Sequence, residues 1–265
     1  MEYIYCFTVF GHRLRFVCTF AINEIKTAIF YFQHMDMNNR SWYSFERKRM
    51  WLALLPSILF VTLVWLAFIV DSAGLSGWNT RRLGILPGEV SGLKGIIFSP
   101  FLHSSFSHLW SNTIPLLILI GFLFYFYSKI AFTAFLCLWF SSGFVTWIIG
   151  RDSYHVGASG LVFAILFFLF FSGIFRRYTP LVAVSLIVAF IYGGMVWSIF
   201  PIAEMVDASI SWEGHLSGAV SGFILAVIFR RHGPQKPATI WAEEERMEEE
   251  TETDDGSDEF PEIMR

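Results

Sequence analysis

Residues 154–171 read YHVGASGLVFAILFFLFF. Ser159 stands between Gly157 and Gly160 at the beginning of an almost uninterrupted apolar run. Runs of this composition, about 20 residues long, are typical of helices that span a lipid bilayer. Two interpretations of the serine are open: small residues let helices pack closely, or the hydroxyl is a nucleophile. Only the rest of the chain can decide between them.

The composition of the whole chain favours a membrane protein. Of its 265 residues, 55% are hydrophobic and 18% are aromatic, and these residues are grouped into long runs. We predict an all-α membrane protein, a bundle of six transmembrane helices. The helices are expected at about 50–70, 107–127, 130–149, 157–175, 180–200 and 214–230.

Charge divides the chain into three parts. Residues 243–262 hold 12 of the 22 acidic residues, a composition typical of a solvated, disordered tail. We predict an N-terminal cytoplasmic segment at 1–49, a six-helix domain at 50–231 and an acidic, disordered cytoplasmic tail at 232–265. The first 34 residues fit neither a signal peptide nor a span, which suggests a true start at Met35 or Met37.

Polar residues occur at the same end of three predicted helices. His103 precedes the second helix, which begins with His108 and Asn112. The fourth helix begins near Ser159 and the sixth near His215. Because even-numbered helices of an up-and-down chain all start on one side, these groups should lie at similar depth. The positions of Lys and Arg between the spans indicate that this is the outer side.

Small residues on the fourth and sixth helices indicate that the two pack closely. Gly218 and Gly222 are four residues apart on the sixth helix, and Gly160 lies on the fourth. Small residues at this spacing let helix backbones approach within a bilayer. Such an approach would bring His215 within hydrogen-bonding reach of Ser159.

These residue types suit nucleophilic catalysis. An imidazole such as that of His215 can take the proton of a serine hydroxyl near neutral pH, which activates Ser159 as a nucleophile. A helix N-terminus offers free N–H groups to an oxyanion, and His108 and Asn112 can add side-chain donors. We interpret the pair as a dyad, because Glu213 is expected to face water.

Other polar groups are given no catalytic role. His155 is interpreted as a stray polar loop residue rather than a second base. His103 and His108 lack a third metal ligand at suitable spacing, and the chain has no Gly-rich phosphate loop. We therefore expect no metal and no other cofactor.

Three motifs in this order resemble the rhomboid family of intramembrane serine proteases. They are HSSFSHLWSN at 103–112, GASG at 157–160 and HLSGAVSG at 215–222. The resemblance covers about residues 50–231. It implies hydrolysis of a peptide bond in or next to the transmembrane helix of a substrate. It also implies that Ser159 is the nucleophile and His215 the general base and acid.

The resemblance implies further roles and also has departures. It implies an oxyanion hole formed by His108, Asn112 and a backbone N–H, and a structural role for His103. Phe163 stands where the family often has a tyrosine beneath the histidine. The stretch KGIIF at 94–98 replaces a Trp-Arg pair, which leaves the packing of the first loop open.

The resemblance also implies partners, a location and a route of entry. The implied partners are single-pass transmembrane substrates and the lipid bilayer, and no nucleic acid is expected. A bacterial plasma membrane with the site opening to the outer side fits the charge pattern. A gate between the second and fifth helices, with residues 201–213 as its lid, would admit the substrate.

Two other functions compete with the protease. A catalytically silent rhomboid-like protein could bind transmembrane clients, but such relatives typically lack the serine or the histidine, and Ser159 and His215 are both present. A small transporter would place polar groups near the bilayer midplane rather than at one end of the helices.

Overall fold

The computed structural model describes residues 40–75, 79–201 and 211–236. The interpretations given above for residues 1–39 and for the acidic stretch 243–262 lie outside these ranges. Six described helices are long and apolar enough to cross a membrane, as the sequence predicts. Their α-helices are α1 Arg40–Ser72, α2 Phe106–Phe126, α3 Ala131–Ile149, α4 Ser159–Arg176, α5 Thr179–Tyr192 and α6 Trp212–Ile228. The fifth and sixth spans also include the 3₁₀ turns that continue α5 to Ile199 and α6 to Arg231.

The fifth span differs from the prediction in its last turns. The sequence predicts one helix over 180–200, but the α-helix ends at Tyr192 and a 3₁₀ helix continues it over Gly193–Ile199. Two successive glycines, Gly193 and Gly194, stand where the geometry changes. Glycine weakens an α-helix because it loses more backbone entropy than other residues. We call residues 193–199 the 3₁₀ segment.

The centre of the bundle is the pair α4 and α6, which pack backbone against backbone. A Cβ at Gly218 would collide with the Gly160 carbonyl oxygen, and one at Gly222 with that of Ala164. Of the six spans, α4 is buried most, at 61%, and the span formed by α5 and the 3₁₀ segment least, at 22%. The prediction that small residues let α4 and α6 pack closely is confirmed. The two helices, which carry Ser159 and His215, are in direct contact.

The loop before α2 packs on the C-terminal half of α3. The indole of Trp139 donates to the Ile96 carbonyl at 2.9 Å, and that of Trp147 to the Glu89 carbonyl at 2.8 Å. These bonds hold residues 89–98 against α3. The stretch includes KGIIF at 94–98, which replaces the Trp-Arg pair often found in the family that the sequence resembles. The described residues form no β-sheet, and one isolated antiparallel bridge joins this loop to the segment before α4.

A buried arginine closes the opposite end of the bundle. The guanidinium of Arg176 donates to the carbonyls of Phe229 at 2.6 Å and Pro234 at 2.8 Å, and to the Ser172 hydroxyl at 2.9 Å. Carbonyls at the end of a helix carry partial negative charge, which a cation stabilises. Arg176 thus joins the end of α4 to the end of α6.

Candidate active site

The starts of α2, α4 and α6 meet at one end of the bundle. The Ser105 hydroxyl accepts the backbone N–H of His108 at 3.2 Å and so caps α2. The Ser211 hydroxyl accepts the N–H of Gly214 at 3.2 Å and caps α6. Helix α4 begins at Ser159 itself, and its preceding residue makes no side-chain cap. The first N–H groups of α4 therefore have no partner within the helix.

His215 lies flat against α4. Its imidazole stacks on the ring of Phe163, with the centroids 4.5 Å apart and the planes inclined by 16°. Phe163 is four residues after Ser159, so the two share one face of α4. A side chain on a helix leans toward the N-terminus, which brings the stacked rings over the turn containing Ser159.

One ring nitrogen of His215 is engaged with the main chain. Nδ1 lies 3.0 Å from the carbonyl oxygen of Ser198, which belongs to the 3₁₀ segment. The carbonyl leaves the other ring nitrogen, Nε2, unoccupied. Within the described residues, no hydrogen bond joins the Ser159 hydroxyl to His215. Catalytic hydrogen bonds are often long in the absence of substrate, so the sequence expectation of direct contact stays a prediction.

His108 lies against Gly157, just before the start of α4, and Asn112 is one turn further along α2. The imidazole of His108 lies so close to Gly157 that a Cβ there would come within 2.6 Å of its Cε1 atom. Gly157 also has φ +117°, a conformation that favours glycine. The Asn112 side chain is buried and donates one N–H to the His108 carbonyl at 2.8 Å. Its amide carries a second N–H.

His103 packs against the ring of His108. The two rings meet edge to face, with centroids 5.0 Å apart, and His103 is only 7% exposed. Burial, together with the neighbouring His108, lowers the pKa of His103 to about 4. His103 is therefore uncharged at neutral pH, which agrees with the structural role that the resemblance implies.

A small cavity of about 30 Å³ lies beside the serine. Gly157, Ser159, Gly160, His155 and Ser211 contribute to its wall. A cavity of this volume with polar groups in its wall can hold a water molecule.

His155 is not the stray loop residue that the sequence suggested. It is 5% exposed, and both ring nitrogens are engaged. Nε2 donates to the Arg151 carbonyl at 3.1 Å, so Nδ1 accepts the Ser211 hydroxyl at 2.6 Å. Its backbone pairs with Ile85. Burial lowers the pKa of His155 and keeps it neutral, so that it links the segment before α4 to the capping residue of α6.

The expectation that Glu213 faces water is wrong as well. Glu213 is 2% exposed, and its Oε1 atom lies 3.6 Å from Nε of Arg151. The first turn of a helix attracts an acidic side chain, and the arginine compensates the buried charge. The sequence gives no sign of this ion pair, because Arg151 and Glu213 are far apart along the chain. Glu213 therefore anchors α6 to the segment that leads into Ser159.

We expect Arg151→Met to destabilise the protein by about 3 kcal/mol, because it leaves the buried carboxylate of Glu213 without its cation. The double variant Arg151→Met/Glu213→Gln should recover most of this loss. Thermal unfolding in detergent measures both changes. Arg82→Met is the matched control, since Arg82 is exposed on the same side. Equal melting temperatures for Arg151→Met and Arg82→Met would show that the ion pair contributes nothing.

Comparison with known proteins identifies the family of this chain. The rhomboid domain family matches residues 89–232, which include His103, His108, Asn112, Ser159 and His215. An uncharacterized protein of Mycobacterium bovis is 39% identical over 178 residues, which are 64% of this chain and 72% of that protein. An uncharacterized protein of Mycobacterium leprae is 34% identical over 194 residues, which are 69% of this chain and 74% of that protein.

The six apolar helices define an integral, multi-pass membrane protein. The chain belongs to the rhomboid family, which includes intramembrane serine proteases that act on transmembrane substrates within the bilayer.

Proposed function

We propose that the chain is an intramembrane serine endopeptidase that hydrolyses a peptide bond in or next to the transmembrane helix of a membrane protein. The observation that carries the proposal is the position of His215. Its ring stacks on Phe163, one helical turn from Ser159, while Nδ1 is held by the Ser198 carbonyl. Nε2 is then the nitrogen available to act as a base toward the serine.

In the proposed mechanism, the Ser159 hydroxyl attacks the carbonyl carbon of the scissile peptide bond as His215 Nε2 takes its proton. The imidazolium then gives this proton to the leaving amine, and the C–N bond breaks to leave an acyl-enzyme. A water molecule then attacks the carbonyl carbon of the acyl-enzyme, with His215 again as the base. This step releases the carboxylate product and the free serine.

The tetrahedral intermediate carries a negative oxygen that needs hydrogen-bond donors. The N–H groups at the start of α4 have no partner within the helix, and the positive end of the helix dipole favours an anion there. The second N–H of Asn112 and a ring N–H of His108 are proposed to complete the oxyanion hole. Removal of one such donor typically lowers the rate by about 10²–10³-fold.

The proposed substrates are single-pass transmembrane proteins with a locally unwound segment at the level of the site. A helix hides its carbonyls in its own hydrogen bonds, so the cleaved stretch must leave the helical conformation. Basic residues cluster at the opposite end of the bundle, at 176–177 and 230–231. With the mycobacterial relatives, this favours a bacterial plasma membrane and a site that opens to the outer side.

The test is covalent labelling by a fluorophosphonate, which reacts only with an activated serine. Within the described residues, the hydroxyls of two other serines lie within hydrogen-bonding distance of a histidine ring nitrogen, so these serines are the competing candidates for the label. Ser104 is 3.3 Å from Nδ1 of His108, and Ser211 is 2.6 Å from Nδ1 of His155. Mass spectrometry of the labelled full-length protein should find the phosphonate on Ser159. Ser159→Ala should abolish labelling, and Ser104→Ala should retain it.

Labelling of Ser104 or Ser211 instead would overturn the assignment of the nucleophile. A wild-type protein that is folded but takes no label would contradict the protease and support the client-binding alternative.

A further inference from the structure

The 3₁₀ segment contacts the proposed base directly. The carbonyl oxygen of Ser198 lies 3.0 Å from Nδ1 of His215. A carbonyl oxygen can only accept a hydrogen bond, so Nδ1 must carry the hydrogen, and in the neutral ring Nε2 carries the lone pair. The Ser198 carbonyl therefore selects the tautomer that can take a proton from Ser159.

This carbonyl occupies the place that a carboxylate takes in a serine-histidine-aspartate triad. Glu213, the acidic residue nearest to His215 in sequence, is engaged with Arg151 instead. Stacking on Phe163 fixes the plane of the imidazole, and the bond to Ser198 fixes its rotation within that plane. When the ring becomes positively charged, its Nδ1–H bond strengthens, because charge-assisted hydrogen bonds are stronger than neutral ones.

The element that carries the carbonyl is weakly held. Its span is 22% buried, the lowest value among the six described spans. A Cβ added to Gly193 or Gly194 would meet no atom within 4 Å, and Trp197 is 75% exposed. A short 3₁₀ stretch at the end of an α-helix often marks a hinge. Few contacts therefore oppose a displacement of the 3₁₀ segment from α6.

We propose that the main-chain carbonyl of Ser198 is a positioning group for His215, and that moving the 3₁₀ segment off α6 releases Nδ1 and disables the base. The inference rests on the proposed protease function. It implies that the outer end of the fifth span controls proton transfer as well as access. A substrate that displaces the segment on entry is cleaved only after the segment returns.

The test weakens the carbonyl without changing any side chain. Replacing Ile199 by its α-hydroxy acid turns the peptide bond after Ser198 into an ester, whose carbonyl is a poorer acceptor. The matched control replaces Trp197 in the same way, which removes one N–H from the 3₁₀ segment but weakens the carbonyl of Val196.

Two measurements follow on the full-length protein. The first is the rate at which a small, water-soluble fluorophosphonate labels Ser159, since this probe needs no displacement of a helix. The ester at Ile199 should lower the rate about tenfold, and the ester at Trp197 should stay within about twofold of wild type. The second is the ¹⁵N spectrum of His215, which should report the Nδ1–H tautomer in wild type and a mixture in the Ile199 ester.

The outcomes separate the inference from the function on which it rests. If wild type is labelled at Ser159 and the two esters react equally fast with unchanged spectra, the inference is wrong and the proposed function stands. If wild type is not labelled, the proposed function fails, and the inference fails with it.

Discussion

Ser159→Ala and His215→Gln are each expected to lower the cleavage of a transmembrane substrate by at least about a thousandfold. The first removes the attacking oxygen, and the second removes the nitrogen that accepts its proton. The measurement is cleavage of a single-span substrate by purified protein in liposomes. His232→Gln is the matched control, because His232 is exposed at the opposite end of the bundle and should leave the rate unchanged.

The double variant Ser159→Ala/His215→Gln separates a catalytic unit from two independent defects. Residues that act together lose most of the rate when either is removed, so the double variant should be no slower than the single variants. Multiplied losses would indicate that the two residues act independently. Wild-type cleavage by His215→Gln alone would exclude this histidine as the base.

Gly218→Ala is expected to destabilise the protein by about 2–3 kcal/mol and to remove fluorophosphonate labelling of Ser159. The new Cβ would collide with the Gly160 carbonyl oxygen and lie 2.9 Å from Cβ of Phe163. Both obstacles belong to the body of α4 and cannot rotate away, so α4 and α6 must separate. Separation lifts His215 from the ring on which it stacks. Thermal unfolding in detergent and labelling measure the two effects.

Gly121→Ala is the control for this prediction, because Gly121 is also in the middle of a spanning helix. Its added Cβ would lie 3.2 Å from Cδ2 of Leu54, the movable end of a side chain, and 4.0 Å from Oγ of Ser57, an ordinary contact. The better helix propensity of alanine, worth up to about 1 kcal/mol, should offset this contact. If Gly218→Ala melts at the temperature of Gly121→Ala, the close approach of α4 and α6 is not required.

The sequence was sufficient for the six spans because a bilayer imposes a length of apolar helix that is visible locally. It was also sufficient to predict that α4 and α6 touch, since only small residues permit this approach at Gly218 and Gly160. The shared end of the helices that carry His108, Ser159 and His215 followed from the alternation of the spans.

Only the tertiary structure decided how the site is supported. Glu213 and His155 were expected in water or in a loop, but both are buried, because their partners Arg151 and Ser211 reach them from other segments. Whether a polar side chain is buried depends on whether the fold supplies a partner, and this is not a local property of the sequence. The support of His215 is a main-chain carbonyl, a group that every residue possesses. No residue type signals it, so its role depends entirely on where the 3₁₀ segment lies against α6.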